Sequence, residues 1–281
     1  MFNPFRVSTA QALRYRAPRS QSGNFATAPR SPSCPYHILM AAVMGGQVLM
    51  RLLRGRVQRQ RVMDHMVVAG PGSLTPVLMT NLFAGMIFSI QTAREMARYG
   101  VMHALGGAFA LGFCRELAPI LTAAILAGQV GSAFAAEIGS MKITEQIDAL
   151  KVLRTDPIDY LVVPRVLACC IMLPMLTMMG LVLGVGGGVL VAQVLYGLSP
   201  AIFLESVQTL LEPADLLAVL IKAVIFGAMI ALAGCTWGLT TTCSKGLGRS
   251  ATSAVVTTWV LLFVVDFCIT VVMFHGIAIA H

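Results

Sequence analysis

Four charged side chains border or enter stretches that otherwise carry no charge: Arg115 and Glu116 at the edge of one apolar run, Lys222 near the start of another, and Asp266 inside a third. An ionised group at the centre of a bilayer costs at least about 2.5–3.5 kcal/mol unless it is paired or hydrated. Each of the four therefore marks a buried network, a relay or a binding site. Arg115 and Glu116 are neighbours, and on a helix they point about 100° apart, so both cannot face one partner. The four charges sum to zero. The expected arrangement places Arg115 against Asp266, with Glu116 or a solvated cavity taking the rest. Such a set could hold a lipid headgroup, fix helix register, or titrate as a Glu116–Asp266 pair.

The elements that must position these residues follow from composition. Hydrophobic residues make up 57% of the chain and charged ones 11%, with a mean hydropathy of +0.80. A soluble domain carries about 25% charged residues, so the solvent for most of this surface is lipid. Met66–Ala93, Leu117–Ala136, Val166–Leu204, Ala223–Ser244 and Ser250–Val265 contain no Asp, Glu, Lys or Arg. A membrane span needs roughly 20 apolar residues, which predicts five transmembrane helices near 74–93, 108–136, 160–190, 216–240 and 252–274. With five spans, the N-terminal arginines, the 137–159 loop (Lys142, Lys151, Arg154) and the 241–251 loop (Lys245, Arg249) share one side. The 197–215 loop opposite carries Glu205, Glu212 and Asp215 and no base. The positive-inside rule favours that topology over six spans.

The net charge of +8 does not indicate a nucleic-acid partner. Ten of the twenty basic residues precede Asp64, all of them arginine, and from Asp64 onward the balance is −2. Residues 1–36 are acid-free and rich in Arg, Ser, Ala and Pro, without the apolar core of a secretory signal. They read as a disordered segment, either an organellar transit peptide or a simple tail. Residues 37–65 hold a short apolar stretch followed by arginines, the pattern of an interfacial amphipathic helix and basic linker. Gly70-Pro71-Gly72 is expected to break the chain before the first span, and 66–281 forms the membrane-embedded body.

Between the second and third spans, Lys142-Ile-Thr-Glu-Gln-Ile-Asp-Ala-Leu-Lys151 reads as a short amphipathic helix, with Ile143, Ile147 and Leu150 on one face. Asp156-Pro157 then opens a new helix. A compact charged helix on the cytosol-like face is what a transporter presents to a motor subunit. Small residues recur every four positions through Gly131 and Gly139, and beside them through Gly128. Gly184 and Gly188 belong to a second ladder. Such stripes let helix backbones approach closely in lipid.

Several chemistries are excluded or disfavoured. No GxxxxGK[ST] motif occurs, so no nucleotide is bound by a P-loop, and HExxH, GxSxG and EF-hand patterns are absent too. The seven cysteines show no CxxC spacing and mostly fall in apolar runs, as small hydrophobes do. No metal site is expected. An ion-coupled secondary transporter would typically show internal repeats, and an intramembrane lipid-modifying enzyme would need a second catalytic cluster; neither is visible.

Several ordered motifs carry a family resemblance: Arg115-Glu-Leu-Ala-Pro119, Ala127-Gly-Gln-Val-Gly-Ser-Ala133, Ala136-Glu-Ile-Gly-Ser-Met141, Thr144-Glu-Gln-Ile-Asp-Ala-Leu150, Asp156-Pro157 with Pro164-Arg165, and Trp237-Gly-Leu-Thr-Thr-Thr242. Together they resemble the MlaE permease family, in particular its cyanobacterial and plastid branch, over roughly 38–276. The resemblance implies an all-α membrane protein with an N-terminal interfacial helix, five transmembrane helices and a cytosol-side coupling helix between the second and third. It implies the non-catalytic permease subunit of an ABC transporter for phospholipids or related polar lipids, phosphatidic acid being the plastid-branch expectation. The implied partners are a second copy of the chain, an ABC ATPase that carries ATP and Mg²⁺, and a lipid-binding MCE-domain protein. The ATPase would grip the segment containing Lys142, Thr144, Glu145, Gln146, Asp148, Leu150 and Lys151. The implied membrane is the plastid inner envelope or, alternatively, a cyanobacterial plasma membrane. Two departures stand out: Gln129 replaces an expected basic residue, and Cys243-Ser244-Lys245 is shorter than the usual loop.

Overall fold

The computed structural model describes residues 34–53, 59–241 and 246–279, with side chains described for 39–51, 59–241 and 246–273. Residues 1–33, including nearly all of the expected N-terminal segment, and the loop residue Lys245 lie outside that range. Every regular element among the described residues is helical. Five helices among the described residues are long and apolar enough to cross a membrane, as the charge-free runs predict.

The first described elements are α1 (Cys34–Leu53) and α2 (Arg59–Ala69), followed by the first span, α3 (Pro71–Arg98). The second span, α4 (Met102–Ile143), contains two π-helical stretches, Ala110–Leu117 and Ala127–Gly131. A short α5 (Gln146–Val152) leads to the third span, α6 (Ile158–Tyr196). Then come α7 (Pro200–Leu210), the fourth span α8 (Pro213–Leu239) and the fifth, α9 (Leu247–Ile279). α6 packs between α3 and α8, while α8 also touches α1, α4 and α9.

Glycines set the closest of these approaches. Gly85 of α3 lies against the backbone carbonyl of Gly184 in α6, where any Cβ would collide. Gly184 and Gly188 also seat the rings of Phe113 and Phe109. Gly131 meets Ile230 of α8, and Gly139 meets Thr241 and Leu247. Gly128, grouped with them by spacing, differs: it is exposed and a Cβ there would meet nothing within 4 Å. Its stripe is only partly covered by the chain's own helices.

Three local expectations are corrected. The Gly70 break lasts one residue, because Gly70 N–H still donates to the Met66 carbonyl (2.8 Å) and Ser73 N–H to the Gly70 carbonyl (3.1 Å). The end of the basic linker is helical and docked, since α2 buries Val62 and Ala69 and packs on α6. The 197–215 loop contains α7, whose Phe203 is fully buried against the start of α4 and whose Ser206 hydroxyl accepts the Gly107 N–H at 2.9 Å. Tertiary burial, rather than local pattern, makes both segments helical.

The sidedness follows the charge argument. Arg51 at the end of α1 pairs with Asp156 and with Asp159 (2.8 Å), placing α1 beside the 137–159 loop. Gly139 touches Thr241 and Leu247 at the same end. The start of α4, α7 and the start of α8 form the opposite end.

Candidate functional site

Local helix chemistry places the charged residues. Glu212-Pro213-Ala214-Asp215 opens α8 with a reciprocal cap, Glu212 and Asp215 each bonding the other's backbone N–H, and with Pro213 in the first turn. Asp215 and Lys222 are seven residues apart, two turns on one face. Asp266 and Thr270 are four apart and share a face of α9. Arg115 and Glu116 lie in the first π-helical stretch of α4, the kind of local irregularity that recurs at functional sites.

Lys222 joins the three helices. Only 2% of it is exposed. Its Nζ lies 2.7 Å from Glu116 Oε2 and 2.9 Å from Asp266 Oδ1, and donates to Thr270 Oγ1 at 2.9 Å. Thr270 in turn donates to Glu116 Oε1 at 3.2 Å. Arg115 turns the other way, to Asp215 Oδ1 at 2.6 Å, while Asp215 Oδ2 accepts the Glu212 N–H at 3.0 Å.

The expected Arg115–Asp266 pair is thus corrected. The four predicted residues do meet, and Arg115 and Glu116 do part company. Asp266, however, belongs to Lys222, and Arg115 belongs to Asp215, which sequence reasoning left in a loop. Thr270 was missed as well. With Asp215 included, three carboxylates face two cations, so the fully ionised cluster carries −1. The cleft between these side chains and Ala218, Val219 and Met273 has about 30 Å³ open to water. That is space for a few waters and far too little for a lipid headgroup. Arg115 and Glu116 remain partly exposed, with 27% and 36% of their side chains accessible. Among the described residues, no group of three His, Cys, Asp or Glu side chains could hold a metal ion.

A buried cation shared by three spans, next to a second cation at the bundle's end, suits a membrane permease that handles a charged headgroup. Comparison with known proteins decides the matter: the family model for permease MlaE matches residues 62–272. The chain belongs to the MlaE permease family.

Relatives agree with this MlaE assignment. A probable ABC transporter permease protein of Synechocystis is 50% identical over 240 residues, covering 85% of this chain and 91% of that one. The chloroplastic protein trigalactosyldiacylglycerol 1 of Arabidopsis thaliana is 43% identical over 239 residues, 85% of this chain and 68% of its own. A probable ABC transporter permease of Porphyra purpurea is 44% identical over 211 residues, 75% and 80% of the two chains. With relatives named ABC transporter permeases across most of their length, this chain is the permease subunit of an ABC-type transporter. It is a multi-pass membrane protein of a plastid envelope or bacterial membrane.

The segment around 142–151, expected to meet an ATPase, differs in detail from the expected single helix. Lys142 and Ile143 end α4; Thr144 hydroxyl donates back to the Ser140 carbonyl at 2.9 Å, and Glu145 turns the chain with φ +59°. α5 then starts at Gln146. Ile147 is buried and Leu150 half-buried, as the face predicted for them requires. Asp148 bonds Lys151 (2.7 Å) and lies 3.5 Å from Lys142. The Lys151 hydrogen bond and the charges of Lys142 and Lys151 hold the Asp148 carboxyl below its usual range. Val152 and Leu153 at the tip are 83% and 73% exposed. At the start of α6, Asp156 Oδ1 accepts the Ile158 N–H at 3.0 Å, the capping role its position suggested.

Proposed function

We propose that this permease works as a homodimer, driven by ATPase subunits that dock on the α5 segment and served by an MCE-domain lipid carrier at the opposite face. The observation that carries the reading is the Lys222 cluster, which ties α4, α8 and α9 together through ion pairs any relative shift of those helices must break. A phosphate arriving at the cluster meets Arg115 and Glu116 first, since these remain partly exposed. It gains Arg115 by displacing Asp215, so headgroup binding and helix rearrangement are one event. Because a single chain leaves only water-sized space there, the lipid cavity forms when two copies open. The Gly128 stripe, with Ser132 and Ala136 only partly covered and Ser140 exposed, supports a second copy as its packing partner.

The α5 segment supports the ATPase reading through its exposed Glu145, Gln146 and Asp148 and its apolar tip, at the face with the basic loops. ATP and Mg²⁺ belong to that subunit; this chain does no covalent chemistry. The cargo is a phospholipid or related polar lipid, phosphatidic acid being the first candidate, and the membrane is the plastid inner envelope. The test is affinity purification of the tagged chain in mild detergent. An ABC ATPase should co-purify and be lost when Glu145→Lys and Asp148→Lys are combined. A chain that purifies alone and transports in liposomes without ATP would favour an ion-coupled carrier instead.

A further inference from the structure

A second polar region lies at the end carrying the basic loops. There α2, the end of α4 and the start of α6 surround an open cavity of about 730 Å³, within the size range of ligand sites. Arg59, Arg61 and Arg165 line it, with Asp64 as the one carboxylate in the wall, and Met141 and Leu161 supply an apolar side. Arg165 decides its character. Only 4% of this residue is exposed, and one of its nitrogens, Nη2, donates to Glu137 Oε2 at 2.9 Å. Its Nε and Nη1 have no oxygen acceptor among the described residues, with the Cys235 thiol and the Phe134 ring (5.1 Å) beside the guanidinium. A buried guanidinium with spare N–H groups needs an acceptor from somewhere. Arg61 is held by its face, 3.1 Å above the Tyr160 ring, which leaves its N–H edge to donate to an anion's oxygens.

We propose that this cavity binds the phosphate of an anionic phospholipid headgroup from the leaflet on the basic-loop side. Guanidinium forks match phosphate oxygens two at a time, and three of them against one carboxylate leave the wall cationic. Depth fits a headgroup as well. Arg165 lies seven residues into α6, about 10 Å along the helix at 1.5 Å per residue. The lipid source is favoured over free phosphate by the surroundings, because Met63 and Val67 on α2 are exposed apolar side chains within a turn of Arg61 and Asp64. They give acyl chains a surface beside the arginines. The Lys222 cluster has the opposite balance, an excess of carboxylate, so the two regions are separate sites.

The test uses the full chain, with any subunits that accompany it, in phosphatidylcholine nanodiscs without ATP. Native mass spectrometry would follow titration with dioctanoyl phosphatidic acid. Arg59→Gln combined with Arg61→Gln, both on the rim, should weaken binding at least tenfold. Arg165→Gln should weaken it further, and Arg94→Gln, the same charge change at the other end, should not. Equal binding by all four proteins would overturn the proposal. So would dioctanoyl phosphatidylcholine binding as well as the acid, or inorganic phosphate displacing it at equal concentration. Because no ATPase is involved, these failures would leave the permease reading standing.

Discussion

The molecule has two charged regions, and they are built on opposite plans. At the α7 end, Lys222 is fully enclosed and every member of its cluster has a partner of opposite charge within 3 Å, around a few waters' worth of space. At the basic-loop end, Arg165 has one carboxylate and borders a wide cavity lined by two further arginines. A network whose charges are all paired resists change until something breaks it, whereas an open one with an excess of cations invites a ligand. The first suits a part that must move between two states, and the second a part that must wait for an anion.

The largest effect that would test this contrast is Lys222→Met. It leaves the buried Asp266, with the partly exposed Glu116 beside it, without a cation, and loss of one partner of a buried pair costs about 3–5 kcal/mol. A drop in thermal stability of the detergent-purified protein should follow, together with loss of transport. A change within the noise would show that the cluster is not the interlock its geometry describes. Next in size is the pairing itself. In a double-mutant cycle, Arg115→Ala and Asp215→Asn should couple by about 1 kcal/mol or more, while Arg115→Ala and Asp266→Asn should add. The reverse result would restore the pairing expected from charge counting.

The smallest effect belongs to the Arg51–Asp156–Asp159 clasp, which is surface-exposed and screened by salt, so Arg51→Gln should cost about 0.2–1 kcal/mol. Its pH dependence has a definite sign. The Arg51 hydrogen bond, then the backbone N–H of Ile158, holds the Asp156 carboxyl below its ordinary value of 3.8. The clasp is therefore fully formed above that value and lost as the pH falls through the lowered one. Hydrogen exchange of α1 should speed up in that acid window, and Arg51→Gln should remove the pH step.

The spans were legible because lipid forbids unpaired charge, so the absence of Asp, Glu, Lys and Arg marks them directly. Arg115, Glu116, Lys222 and Asp266 were legible for the converse reason. Their partners were not. Which carboxylate meets Arg115 depends on how far α8 slides along α4, a quantity set by packing, and Asp215 sits so near the start of α8 that it read as loop. The Glu212-Pro213-Ala214-Asp215 cap was the available signal, since it fixes Asp215 one turn inside a helix. Arg165 and Glu137 stood in the family motifs, but nothing in their spacing announced an incompletely satisfied guanidinium. The π-helical stretches left no trace in the pattern, and α7 is helical because Phe203 finds a pocket under the start of α4.

The contact between Gly85 and Gly184 has a consequence for traffic. Where backbone rests on backbone, no slot remains for a hydrocarbon chain to slip through, so the seam between α3 and α6 is a closed wall to any lipid approaching sideways. Among the five spans, α9 has the smallest buried share, so its flank, which also brings Asp266 and Thr270 to the cluster, is the side that this chain's own helices leave least sealed.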